Sequence, residues 1–184
     1  MSETEKNLVH AAIQGDRSAM AGLYSRNIGY LTAVCSRYIR DNEDRDDVLQ
    51  TSFVKIFTSL ASFRYRGNGS LKAWMSRIVV NEAINFLKMQ QKNNGRVDGE
   101  AVPDIPDSED APDLDDIPAG IIQEMIRELP EGYRTVFNLF VFEEKSHKEI
   151  SAMLGISEST SASQFHRARN ILARKIREYR KSIE

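Results

Sequence analysis

Three groups of side chains have the types and spacing to do chemistry on a partner. The first lies in residues 146–169, SHKEISAMLGISESTSASQFHRAR. Its second half carries Ser159, Thr160, Ser163, His166, Arg167 and Arg169. Hydroxyl, imidazole and guanidinium groups at helical spacing can contact phosphate oxygens and meet base edges in a DNA groove. The second group starts in the loop SFRYRGNGS, where Phe63 and Tyr65 alternate with Arg64 and Arg66. Lys72 and Trp74 follow, and then Arg77, Asn81, Asn85 and Lys88 recur as a polar row. Aromatics beside arginines form a platform for unpaired bases, at ~1–3 kcal/mol per stacked base. Asparagine beside arginine suits base edges. The third group is acidic: Asp41, Glu43, Asp44, Asp46 and Asp47, followed by Gln50. Carboxylates at a helix start gain ~0.3–1 kcal/mol each from the helix dipole. That accounts for two or three of them, and the surplus fits docking on a basic protein surface.

Each group needs an element to hold it, and the periodicity supplies helices. Apolar spacings of three and four dominate and strand-type alternation is absent, so the fold class is all-α. A short helix is expected over 5–14, and Asp16 or Ser18 opens a longer one bearing Met20, Leu23, Tyr24, Leu31, Val34, Cys35 and Tyr38. A third runs over about 43–60, with Val48, Leu49, Ser52, Phe53, Ile56, Phe57 and Leu60 as its apolar stripe. A fourth begins at Ser70 and ends near Gln91, with Trp74, Met75, Ile78, Val79, Phe86 and Leu87 toward a core. Further on, helices over 121–129 and 133–142 are separated by Pro130, which cannot continue a helix. Ser146 and Glu149 have the spacing of a capping box ahead of Ile150, Met153 and Leu154. Gly155 suits a sharp stop, Ile156 plugs the gap, and Ser157 can cap the next helix. There Ser161, Phe165, Ala168, Leu172 and Ile176 form the inward stripe. Helix, glycine turn and basic helix together make a helix-turn-helix, whose second helix enters the major groove.

The chain has 184 residues and a net charge of −2, but the charge is unevenly distributed. Residues 1–92 carry 13 basic and 9 acidic residues, 93–118 carry 1 and 9, and 119–184 carry 11 and 9. Within 157–181 there are seven basic and two acidic residues, a local footprint that matters more for phosphate contact than the whole-chain value. Segment 93–118 holds four of the five prolines and few large apolar residues. It is expected to be a flexible acidic tether between a domain over 1–92 and a smaller one over 119–184. A single cysteine, Cys35, excludes an internal disulfide and reads as a small buried hydrophobe. No apolar run approaches the ~18 residues of a membrane span, and no secretory signal opens the sequence, so a cytoplasmic location is expected. The histidines His10, His147 and His166 fall in separate segments without ligand spacing, which gives no metal site. Gly67-Asn68-Gly69 is a fragment of a nucleotide-binding pattern, with no third glycine and no preceding strand. No nucleophile–base pair stands out, so no catalytic residue and no cofactor are expected.

Taken together, residues 44–57 (DRDDVLQTSFVKIF), 63–87 (FRYRGNGSLKAWMSRIVVNEAINFL) and 129–172 (LPEGYRTVFNLFVFEEKSHKEISAMLGISESTSASQFHRARNIL) resemble the extracytoplasmic-function (ECF) sigma factors of the sigma-70 family. The segments occur in the family's order, across an acidic linker of typical size. The resemblance implies that Asp44, Asp46, Asp47, Gln50 and Phe53 dock the clamp of the largest subunit of core RNA polymerase. It implies that Phe63, Arg64, Tyr65, Arg66, Lys72, Trp74, Arg77, Asn81 and Asn85 capture and melt the −10 promoter element. The helix-turn-helix would read the −35 element through Ser159, Thr160, Ser163, His166, Arg167 and Arg169. Implied partners are core polymerase, promoter DNA and an anti-sigma factor, with the free chain a monomer that does not insert into membranes. Ala162 and Gln164 stand where many relatives carry Lys or Arg, so this −35 helix is expected to bind weakly alone. A stand-alone helix-turn-helix regulator is the alternative reading, but it usually needs a dimer to read paired half-sites. It also leaves the acidic cluster and the basic-aromatic loop without a role.

Overall fold

The protein is described here by a computed structural model, over residues 3–93 and 117–183. The chain divides into two compact units, Met1–Gln90 and Gln91–Glu184. Among the described residues every regular element is helical. The expected acidic tether lies outside the described residues except at its ends, Asn93, Ile117 and Pro118.

The first unit is built from α1 (Glu3–Ile13), α2 (Arg17–Ser36), α3 (Asn42–Ser59) and α4 (Ser70–Asn93), with a 3-10 turn at Leu60–Ser62. Of the two candidate starts for α2, Asp16 is the cap: its carboxylate accepts from the Ala19 N–H at 3.0 Å. Asp41 does the same for α3, accepting from Glu43 N at 2.9 Å and Asp44 N at 3.0 Å. Side-chain caps of this kind stabilise a helix by ~1 kcal/mol. The core gathers Leu23, Leu31, Val34, Ile56, Leu60, Leu71, Met75 and Val79, each nearly inaccessible. Burying a side chain of this size contributes ~1.5–3 kcal/mol. Polar groups caught in this core bond to their own helix: Asn27 Nδ2 donates to Leu23 O at 2.7 Å, and Ser52 Oγ to Val48 O at 2.7 Å. On α4 the buried face is wider than the spacing predicts, taking in Leu71, Val80, Ala83 and Ile84, while Trp74, Ile78 and Phe86 are only half-buried.

The second unit contains α5 (Ala119–Arg127), α6 (Glu131–Val141), α7 (His147–Leu154) and α8 (Glu158–Ile183). Its core joins Met125, Ile126, Leu129, Tyr133, Ala168, Ile171, Leu172 and Ile176. Ile117, placed in the tether by composition, also belongs to this cluster. Pro130 stands at the start of α6, where its missing N–H costs nothing. The buried Arg134 then reaches back to close α5, its Nη1 donating to Arg127 O at 3.2 Å and Leu129 O at 3.4 Å. A cation at the carbonyl end of a helix is favoured by the dipole. Helix α8 packs against α5, α6 and α7.

Candidate nucleic-acid interface

Backbone chemistry fixes the helix-turn-helix. Both halves of the capping box form: Ser146 Oγ accepts from Glu149 N at 3.3 Å, and Ser146 N donates to Glu149 Oε2 at 2.9 Å. Gly155 ends α7 at φ 72°. A Cβ there would meet nothing within 4 Å, so the left-handed backbone itself, not crowding, calls for glycine. Ser157 caps α8, accepting from Thr160 N at 3.0 Å. The two helices are tied by His147, whose Nδ1 lies 2.9 Å from the buried Ser161 Oγ. The His147 ring stacks on Phe140 at 4.8 Å, and Phe140 meets Phe165 at 4.3 Å.

On the outer side of α8, Ser159, Thr160, Ser163, His166, Arg167 and Arg169 are all exposed. They are not equivalent. Ser159 Oγ and Thr160 Oγ1 each lie 2.8 Å from Ser157 Oγ and belong to the cap. His166 Nε2 lies 3.2 Å from Asn170 Nδ2. Arg167 Nη1 donates to the Tyr133 hydroxyl at 3.2 Å. Grouped with these by spacing, Arg169 is about 120° round the axis from Ser163 at ~100° per residue. It therefore stands on the flank of the face. Tyr133 and Asn170 are buried partners beneath this surface that spacing did not single out. Asn170 was legible as the i,i+4 neighbour of His166; Tyr133, on another helix, was not.

In the first unit the loop folds onto the start of α4. Phe63 packs on Trp74 with centroids 5.5 Å apart. The exposed Tyr65 donates to Asn68 Oδ1 at 3.2 Å, and Lys6 Nζ stands 6.0 Å from its ring. Arg64 Nη1 lies along the carbonyls of Ala61 and Phe63, at 3.4 and 3.5 Å, and Arg66 is exposed. Arg77, Asn81, Asn85 and Lys88 are all exposed, with the half-buried Trp74 on the same face. Lys72 departs from the expectation. It precedes Asn81 by nine residues, about half a turn round the axis, and its Nζ lies 5.3 Å from the Tyr30 ring on α2. It does not join the row. Glu82, the one acid of 48–92, is likewise turned from the row and pairs with Lys55 at 2.7 Å.

On α3 the acidic cluster splits by role. Asp41 is the cap, and Asp44 is half-buried, accepting from Gln90 Nε2 at 3.1 Å. Glu43, Asp46, Asp47 and Gln50 face outward, with Arg45 only 4.0 Å from Asp46. Phe53, expected as a docking contact, is a core residue: it is 5% exposed and packs on Tyr24 at 4.6 Å. The apolar side chain that shares the exposed face is the next one, Val54, at 60% exposure. Its signal in the sequence was its place one turn beyond Gln50, off the buried stripe. Beneath the cluster, burial pushes the Cys35 thiol up to about 12, against the opposing pull of Arg45. It stays protonated at neutral pH and serves as packing. Among the described residues no group of His, Cys, Asp and Glu could hold a metal ion. No helix there is long and apolar enough to cross a membrane.

Two family models match the chain: sigma-70 region 2 matches residues 23–93, and sigma-70 region 4 matches residues 119–172. The chain is 30% identical to the ECF RNA polymerase sigma-E factor of Haemophilus influenzae over 184 residues, covering 94% of this chain and 95% of that one. It is 28% identical to the RNA polymerase sigma-H factor of Pseudomonas aeruginosa, covering 92% of each. Among solved structures it is similar to the sigma factor RpoE of Bartonella quintana, crystallised with the anti-sigma factor NepR. That match has 19% identity, covers 85% of this chain and 96% of the other, and has a TM-score of 0.49.

Proposed function

We propose a division of labour for this chain, which belongs to the extracytoplasmic-function sigma factors of the sigma-70 family. It is an alternative sigma factor, a DNA-binding initiation factor that binds core RNA polymerase and directs promoter-specific transcription. In our reading the outer face of α8 anchors the −35 element as duplex, with Ser163, His166 and Arg167 toward base edges and Arg169 toward a phosphate. The Phe63–Trp74 pair, with Tyr65, Arg64 and Arg66, receives unstacked bases of the −10 element. Arg77, Asn81 and Asn85 contact them along α4. Unstacking costs a few kcal/mol per base, and aromatic capture offsets it without ATP. Asp46, Asp47 and Gln50, with Val54 at the centre, dock the clamp of the polymerase's largest subunit; Asp44 and Phe53 hold that face from below.

The observation that carries this reading is the α4 row: four polar or cationic side chains, exposed on one face beside an aromatic pair. A stand-alone regulator would have no use for such a face. An anti-sigma partner and action in the cytoplasm rest on family membership. So does the division of the chain into a polymerase-docking and −10 domain over 1–92, a tether over 93–118 and a −35 domain over 119–184. Catalysis belongs to the polymerase, not to this chain.

Run-off transcription with core polymerase on a promoter library tests the function, since only a sigma factor yields promoter-specific transcripts. Charge reversal tests the docking face. Asp46→Lys with Asp47→Lys should lower core affinity by at least about tenfold, the weight of ~1.4 kcal/mol, and leave binding to −35 duplex unchanged. Equal core affinity would remove this face from docking.

A further inference from the structure

The hydrogen bond between Arg167 and Tyr133 joins residues 34 positions apart, on α8 and α6. Tyr133 is 8% exposed, and its ring belongs to the core cluster that includes Ala168, Ile171 and Leu172 of α8. Its phenolic oxygen accepts from Arg167 Nη1 at 3.2 Å. The same turn of α6 also meets α8 at Gly132, beside the Gln164 side chain. A Cβ on Gly132 would stand 3.3 Å from Gln164 Nε2, a contact that a shift of that amide by a few tenths of an ångström would relieve. The first turn of α6 thus lies against the side of α8 that carries Gln164 and Arg167.

We infer that Tyr133 is a positioning residue for DNA reading, holding the Arg167 guanidinium in the orientation that meets a base pair. This rests on the reading of Arg167 as a −35 contact. A guanidinium has five N–H donors in a fixed fork. A bond to an anchored phenol fixes the plane of that fork and removes part of the rotamer freedom an arginine otherwise loses on binding. Bidentate contact to a guanine edge depends on the angle of that fork. Tyr133 is too enclosed to read DNA itself, so its effect passes through Arg167.

The test is a double-mutant cycle on the full chain in holoenzyme with core polymerase. The probe is a promoter duplex that the wild type selects from a pool randomised across the −35 positions. Tyr133→Phe keeps the ring and removes the hydroxyl. It should weaken binding roughly fivefold, relax preference at one base pair and leave the salt dependence of binding unchanged, since no phosphate contact is lost. Arg167→Ala should cost about tenfold or more, and adding Tyr133→Phe to it should change nothing further. A general loss of folding would appear equally in both backgrounds and cancel in the cycle. Wild-type affinity and preference in Tyr133→Phe, or an equal loss with and without Arg167, would overturn the inference. A silent Arg167→Ala would overturn it together with the reading of Arg167 it rests on; a costly one with a silent Tyr133→Phe would overturn the positioning role alone.

Discussion

Helices α4 and α8 both turn a polar face outward, yet they hold it in opposite ways. On α4, Arg77, Asn81, Asn85 and Lys88 are exposed and unengaged among the described residues, on a helix whose other side is core. On α8 four of the six polar groups are already committed: Ser159 and Thr160 to the Ser157 cap, His166 to Asn170, Arg167 to Tyr133. The contrast matches what each face would meet in the proposed division of labour. A duplex presents base edges at fixed places, so side chains set in advance lose less entropy on binding, at ~0.5–1.5 kcal/mol for each one otherwise immobilised. Bases leaving the stack have no fixed place until they are captured, and free side chains on a rigid helix can follow them. In the proposed division of labour the preset face serves recognition and the free face serves capture.

Breaking the free face should do the most damage. Arg77→Ala with Asn81→Ala should lower run-off transcription by about 100-fold, the weight of ~2.7 kcal/mol, from one melting step. A loss within threefold would make α4 a plain structural helix. A smaller effect is expected from loosening the preset face. Ser157→Ala removes the cap of α8, costing ~1 kcal/mol of stability, and releases both hydroxyls. Calorimetry should find a lower melting temperature, and −35 affinity should fall about threefold. Unchanged affinity despite lower stability would show that this preorganisation does not matter for binding. The smallest effect belongs to Lys72→Ala. Because Lys72 lies over Tyr30 and away from the row, run-off should change by less than about twofold, as for most surface substitutions. A loss as large as that of Arg77→Ala alone would return Lys72 to the interface.

Most of the fold was legible because its punctuation is local. Asp16, Asp41, Ser146 with Glu149, Gly155 and Ser157 each act within one helical turn, and every one does what its type and place imply. Side chains on α4 were harder to assign, because a helix covered over much of its circumference shows weaker periodicity. Hence Val80, Ala83 and Ile84 joined the core unannounced. The candidate sites were legible as groups but not as members. Phe53 and Val54 are neighbours in an apolar-rich stretch, and only the packing of Tyr24 decides which is buried. Lys72 is near the row in sequence and opposite it in space. The Tyr133–Arg167 bond spans two helices and has no local signature at all.

Permanganate footprinting of holoenzyme on a selected promoter, read alongside DNase protection, tests the division of labour most directly. With Arg77→Ala and Asn81→Ala, the −35 region should stay protected while the permanganate-reactive thymines around −10 disappear. Undiminished thymine reactivity in that variant, or loss of −35 protection together with the bubble, would contradict it.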